Sequence, residues 1–297
     1  MRFYIVDPDA HHKNVESMRK MMSKNKIDYT LCNDLSQIDD SYTVAICETR
    51  FFPPDQFPKN CKVIYGPQFF VFPEDQTHPI HKYSYEPNRF FFNFLTEWNV
   101  TIFKEFAPNL TLSIIACPFG VDTETITIVK TKRTRVMVYF KNRHPDTLNT
   151  VISFLKERNI DYYLFQYGSY KDSEFKEKLQ DTKFVVWIGS HESQGFAFQE
   201  TLASNAPILL WDVKSMYDEY NQGWVYDRYK SSGKLLLATT ANVWSDDCGI
   251  KFYEASELPN AFDKINANID TFAPRKIIEE KVSLEAAFKN IIQAISD

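Results

Sequence analysis

No stretch of about 18 consecutive apolar residues occurs in the chain, so the sequence offers no membrane-spanning helix. The opening MRFYIVDPDAHH meets Asp7 too early for the apolar core of a secretory signal. Cysteine is sparse and odd in number: Cys32, Cys47, Cys61, Cys117 and Cys248 are scattered, with no CxxC pair. That excludes a zinc-ribbon or disulfide framework and fits reduced thiols, hence a cytoplasmic location. A basic excess is also lacking. The net charge of −5 and pI near 5.8 argue against a nucleic-acid partner. Asn99 and Asn109 match the glycosylation sequon, which without a secretory signal carries no weight.

What remains is an ordinary globular composition, 44% hydrophobic and 25% charged, spread over 297 residues. That length favours two domains, each able to bury its own core. Phe3 to Asp7 reads as a strand, followed by a helix from His11 to Lys24 with Val15, Met18, Met21 and Met22 at helical spacing. Further strands are expected at Tyr29 to Cys32, Thr43 to Glu48 and Lys62 to Gly66, a rhythm that suits a parallel sheet with helical crossovers. The Pro- and aromatic-rich stretches Phe51 to Asn60 and Gly66 to Pro87, on either side of the last of these strands, read as irregular surface structure. Pro87 to Phe106 carries a wide apolar face and reads as one helix, followed by the strand LTLSIIACP. A basic run, Lys130 to Arg135, marks the domain boundary.

The second half alternates more regularly. Strands at Val136 to Phe140, DYYLFQYG, KFVVWIG and PILLW alternate with helices at Asp146 to Arg158, Ser173 to Gln180 and from Phe196 onward. Pro274 to Ile295 reads as a closing helix. The expected division is therefore 1–130, 131–273 and a terminal helix 274–297 that packs back on the first domain.

The most informative stretch is His191 to Asp212, HESQGFAFQETLASNAPILLWD. It reads as a tight loop, a helix and a strand, with a strand just before it. Ligands of a parallel sheet sit beyond the carboxyl ends of the strands, where helix N-termini point. Glu192 falls on the loop and Glu200 in the helix, so both carboxylates border that edge. Gly195 permits close backbone approach, and the amides near Gly195, Phe196 and Ala197 suit a phosphate or sugar oxygen. Carboxylates at the two ends of such an anion site match a ligand with hydroxyls at both ends of a diphosphate.

Glu192, Gly195 and Glu200 stand in the E-x7-E pattern of the retaining glycosyltransferases of family 4, which the sequence resembles. Pro118-Phe119-Gly120-Val121-Asp122 resembles the PNGVD that closes their first domain. The resemblance runs from about Trp98 to the C-terminus. It implies an α/β, GT-B fold, two Rossmann-like domains facing a central cleft. It further implies a nucleotide-sugar donor, a carbohydrate or glycoconjugate acceptor, retention of anomeric configuration, and no cofactor or metal. By position, Glu192 would hold the transferred sugar and Glu200 the ribose, with Gly120, Tyr167 and Gly168 also near the donor. The family's Arg and Lys beside the diphosphate correspond to Lys141 and Asp146, so Lys141 and Arg143 are expected to share that role.

A donor of the GDP-mannose type is slightly preferred, a UDP-sugar next, and a homodimer is allowed. The first loop, VDPDAHH, lacks the family's glycines, so its phosphate contact is missing or made differently. That gap favours the alternative of a non-catalytic nucleotide-sugar-binding or assembly subunit with the same fold. Asp7-Pro8-Asp9 resembles a metal-binding DxD but reads better as a turn. His78 and His81 read as loop residues rather than zinc ligands.

Overall fold

The computed structural model describes residues 1–6, 10–67, 77–128, 133–220 and 233–296. Asp7-Pro8-Asp9, residues 68–76 of the second Pro-rich stretch and the start of the basic run lie outside the described residues. The chain divides into two compact units, one of Met1–Asp122 with Val282–Asp297, the other Thr123–Lys281.

The first unit is built on a six-stranded parallel sheet. Its strands are β1 (Arg2–Val6), β2 (Asp28–Cys32), β3 (Val44–Cys47), β4 (Lys62–Tyr65), β5 (Phe90–Asn93) and β6 (Ser113–Ile115), ordered β2-β1-β3-β4-β5-β6. The inner strands are buried on both faces, which is why they read as continuous apolar runs rather than alternating ones. Helix α1 (His12–Lys24) buries Met18, Met21 and Met22. Its start is capped by His11, whose ring accepts from the Lys13 amide at 3.3 Å.

The expected helix from Pro87 to Phe106 is instead strand β5 followed by α2 (Glu97–Phe106). Three successive phenylalanines pair along β4 and β6, and aromatic side chains suit a pleated, buried strand. Leu95, at φ 66°, then turns the chain into the helix. Asn93 fastens that corner, its side chain accepting from Leu95 N and Cys117 N and donating to Cys117 O.

The C-terminal segment is likewise two helices, α7 (Arg275–Lys281) and α8 (Leu284–Ser296). The break falls where Val121 pairs in parallel with Ser283 and its amide donates to Val282 O at 2.7 Å. Those backbone groups cannot also close helical turns. Helix α8 lies on the first unit, with Phe288 6.0 Å from Phe3.

The second unit carries a five-stranded parallel sheet. Its strands are β7 (Arg135–Phe140), β8 (Tyr162–Gln166), β9 (Thr182–Ile188), β10 (Ile208–Trp211) and β11 (Gly249–Phe252), ordered β11-β10-β9-β7-β8. Between them run α3 (Pro145–Glu157), α4 (Asp172–Leu179) and α5 (Phe196–Ala203), with α6 (Leu258–Ala267) after β11. Neither β11 nor α6 is apparent from the sequence rhythm. β11 requires its first residue to be glycine: Gly249 has φ 139°, and a Cβ there would come within 2.0 Å of Ile208 O. On one face of the sheet, Val136, Val138, Val186, Ile188 and Leu209 pack with Val151 and Leu155 of α3 and Phe262 and Ile265 of α6. Full burial of each such side chain contributes about 1.5–3 kcal/mol. Among the described residues no helix is long and apolar enough to cross a membrane.

Candidate functional site

All five strands of the second sheet run parallel, so β7, β8, β9 and β10 end on one edge. The residues just beyond them are Lys141, Tyr167, the loop from Gly189 to Gln194, and Asp212. The strand–loop–helix–strand reading of His191 to Asp212 corresponds to β9, this loop, α5 and β10.

The loop is held from two sides. Ser190 N donates to Lys141 O at 3.0 Å, and Lys141 N donates to Ile188 O at 2.9 Å, extending the β7–β9 ladder. From the other side, Thr240 Oγ1 donates to Ser190 O at 2.8 Å and Glu192 N donates to Thr239 O at 3.1 Å. Asn242 Nδ2 donates to Ser193 O and Gln194 O at 2.9 and 2.5 Å. Thr239 and Thr240 are themselves fixed by buried Asp212, whose carboxylate accepts from Thr239 Oγ1, Thr240 N and Lys251 Nζ at 2.7, 2.8 and 3.1 Å. Gly195 closes the loop at φ 62° and ψ 50°, a left-handed conformation that glycine adopts without strain. Phe196 and Ala197 then open α5, their N–H groups directed out along the axis as first-turn amides are.

Glu192 and Glu200 each meet a lysine. Lys141 Nζ donates to Glu192 Oε1 at 2.6 Å, and the two side chains are only 17% and 12% exposed. The ammonium also sits 4.4 Å from the centroid of the Tyr167 ring, a cation–π contact. Burial opposes the charge on Lys141, but the field and hydrogen bond of Glu192 outweigh it and raise its pKa above the ordinary lysine value. One turn and a half along α5, Glu200 Oε1 lies 3.1 Å from Lys176 Nζ of α4. The edge thus carries two carboxylates and two ammonium groups bracketing a helix start.

The other expected site residues are placed differently. Arg143 is 7% exposed, and its Nη1 donates to Gly189 O and Trp211 O at 3.1 and 3.2 Å, tying together the ends of β9 and β10. Burial disfavours its charged form, with Asp218 and Asp212 acting in the opposite sense. Gly168, at φ 80°, forms the open turn after β8 beside the exposed Tyr167. Gly120 belongs to the first unit, where its carbonyl accepts from Ser17 Oγ at 2.6 Å and a Cβ would come within 2.9 Å of Leu284 Cα. Asp146 is exposed in the first turn of α3 beside His144. Trp244 packs against Phe198, 6.2 Å between centroids. His78 caps a short 3-10 turn, its Nδ1 accepting from Ile80 N at 3.2 Å. Among the described residues no group of three His, Cys, Asp or Glu side chains is arranged to hold a metal ion.

Sequence reasoning did not single out Lys176, Glu219 or Asn142. Asn142, at φ 51°, donates from its side chain to Glu219 Oε1 at 3.0 Å, and its carbonyl accepts from Tyr220 N at 2.8 Å. Glu219 Oε2 lies 3.4 Å from His191 Nε2. This carboxylate therefore braces both the Lys141 turn and the loop carrying Glu192. The available signal was an Asn two residues past the end of β7, a residue type enriched at positive φ.

His191 is mostly buried, its side chain 15% exposed. Burial pushes its imidazole down to about 4, against the pull of Glu192 and with help from Lys141. The ring is neutral at pH 7, so its contact with Glu219 is not a charged pair. The linkage has a definite sign. The unfolded chain takes up a proton as pH falls through about 6.5, while the folded chain resists until about 4. The stabilisation is therefore full above pH 6.5 and lost between the two values, by about 3 kcal/mol. Denaturant unfolding at pH 7 and 4.5 should show a smaller loss for His191→Gln than for the wild type; equal losses would refute the assignment.

No known sequence family matches the chain, and no curated protein matches it in sequence. Solved structures do match in fold. Sucrose-phosphate synthase from Thermosynechococcus elongatus aligns over 99% of this chain and 98% of its own, with a TM-score of 0.53 and 9% identity. A mutant of S. aureus TarM, solved with fondaparinux, α-GlcNAc-glycerol and UDP, aligns over 89% of this chain with a TM-score of 0.50 and 15% identity. The chain spans 57% of that protein's length. The two parallel sheets with flanking helices are thus of the α/β, GT-B class, and at these identities the likeness is one of fold.

Proposed function

We propose that the protein is a retaining glycosyltransferase that moves a sugar from a nucleotide-sugar donor to a glycan or glycoconjugate acceptor. The observation that carries the reading is the arrangement at the edge of the second sheet. Glu192 and Glu200, each beside a lysine, bracket the start of α5 at 2.6 and 3.1 Å from their ammonium partners. A diphosphate at the helix N-terminus would meet the amides of Phe196 and Ala197 and the ammonium of Lys141. Its ribose would then lie at Glu200 and its sugar at Glu192. The fold likeness to TarM solved with UDP supports a nucleotide ligand. A GDP-mannose-type donor remains the slight preference from the family resemblance, with UDP-sugars next.

In the proposed reaction the bond from the anomeric carbon to the diphosphate oxygen breaks, its electron pair staying on the phosphate. The acceptor oxygen forms a new bond on the same face, and its proton passes to a leaving-phosphate oxygen. Lys141 and the α5 amides stabilise the charge that develops there, and no metal is needed for the step. Arg143, committed to Gly189 O and Trp211 O, acts by holding the loop.

The same engagement of Arg143 favours one second reading, a non-catalytic nucleotide-sugar-binding subunit, because it leaves Lys141 to meet the diphosphate. Calorimetric titration with a panel of UDP- and GDP-sugars, with nucleotide release assayed over a set of glycan acceptors, tests both. Binding is expected for at least one donor, weakened about tenfold or more in Glu200→Gln, and accompanied by release. Binding without release for any pair selects the second reading, and no binding at all refutes both.

A further inference from the structure

Lys176 lies on α4, 24 positions before Glu200 in the sequence, and is not among the residues that carry the family resemblance. Its ammonium is 2.8 Å from Asp172 Oδ2, one turn earlier on the same helix, and 3.1 Å from Glu200 Oε1. Burial opposes its charge, and the Asp172 hydrogen bond with the field of Glu200 more than offsets this, so its pKa stands above the ordinary lysine value. The Glu200 side chain is 13% exposed, whereas that of Lys176 is 46% exposed. An ammonium has three N–H donors in fixed tetrahedral relation. Among the described residues two of them meet Asp172 and Glu200, and the half-exposed ammonium keeps a third to give.

A ribose hydroxyl is both donor and acceptor. A carboxylate alone satisfies only its donor half. Placed on Glu200 Oε1, a hydroxyl would find an N–H donor 3.1 Å from that oxygen and already oriented by Asp172. We infer that Lys176 and Glu200 form a donor–acceptor pair that reads the ribose diol of the donor nucleotide, with Lys176 the residue that discriminates against deoxyribose. The inference rests on the proposed nucleotide site at α5. Lys176 adds to it a specificity that Glu200 alone would not supply, because the analogue lacking a hydroxyl leaves two partners unmet rather than one.

The test titrates UDP and GDP, each with its 2′-deoxy and 3′-deoxy analogues, into wild type, Lys176→Met, Lys176→Arg and Glu200→Gln. Thermal melts establish that each variant is folded. Wild type should lose about tenfold or more in affinity for at least one deoxy analogue. Lys176→Met should bind the parent nucleotide about tenfold more weakly and discriminate against the same analogue several-fold less. Lys176→Arg, which keeps the charge and the donors, should recover part of both. A merely structural role for Lys176 would lower all affinities together and leave the deoxy ratio unchanged, which overturns the inference. If Glu200→Gln weakens binding while Lys176→Met does not, this inference fails and the nucleotide site stands. If wild type binds neither nucleotide, the proposed function falls and takes the inference with it.

Discussion

Replacing Glu192 with glutamine is expected to slow sugar transfer about a thousandfold while tightening the binding of free nucleoside diphosphate. The two effects come from one contact. Lys141 Nζ is 2.6 Å from Glu192 Oε1, in a setting where both side chains are mostly out of water. A diphosphate arriving at the start of α5 must compete with that carboxylate for the ammonium. Glutamine keeps the shape and a hydrogen-bonding oxygen but removes the competing charge. The affinity for UDP or GDP should then rise about fivefold, the equivalent of about 1 kcal/mol.

For the intact nucleotide sugar the balance reverses, because the hydroxyls that Glu192 would hold lose a charged acceptor. Transfer should fall by about 10³. Direct titration of diphosphate and of nucleotide sugar, beside the rate of nucleotide release, separates the two effects. A variant that binds free diphosphate more weakly than wild type would show that Glu192 positions Lys141 rather than competing for its charge.

The contacts that make this exchange possible were only partly legible in the sequence. The β9–loop–α5–β10 order followed from local signals: a β-branched and aromatic run ending at Gly189-Ser190, a glycine before Phe196, and Asn205-Ala206-Pro207 after the helix. Such signals lie within a few residues of what they determine. Lys176 reaches Glu200 from a different helix, and Glu219 reaches Asn142 across 77 positions. Neither contact leaves a spacing to find, since each depends on which helices and loops the sheet order brings side by side.

The same distinction explains the misread segments. Phe90 to Asn93 has enough apolar residues to satisfy a helical pattern, and only pairing with β4 and β6 makes it a strand. Val282 and Ser283 suit a continuous helix until their backbone pairs with Val121. In both cases a tertiary partner overrides local propensity.

Arg143 carries the second large expectation, and it is one of stability. Arg143→Met keeps an unbranched apolar stem but removes the guanidinium that joins Gly189 O at the end of β9 to Trp211 O at the end of β10. Each is a hydrogen bond from a charged donor in a site 7% exposed, worth about 1.5–3 kcal/mol. Losing both should destabilise the second unit by about 3–5 kcal/mol. Denaturant unfolding followed by tryptophan fluorescence reads this directly, because Trp187 and Trp211 lie in that unit's β9 and β10. Nucleotide affinity, measured where the variant is still folded, should change by less than about threefold, in keeping with a residue that shapes the Gly189 to Gln194 loop from beneath. The opposite pattern, near-wild-type stability with nucleotide binding lost about a hundredfold, would mean that the guanidinium leaves its carbonyls to meet the diphosphate. Lys141 and Arg143 would then share that charge, as the family resemblance implies. The present geometry favours a division of labour: Lys141 at the ligand edge, Arg143 locking the two strand ends that present it.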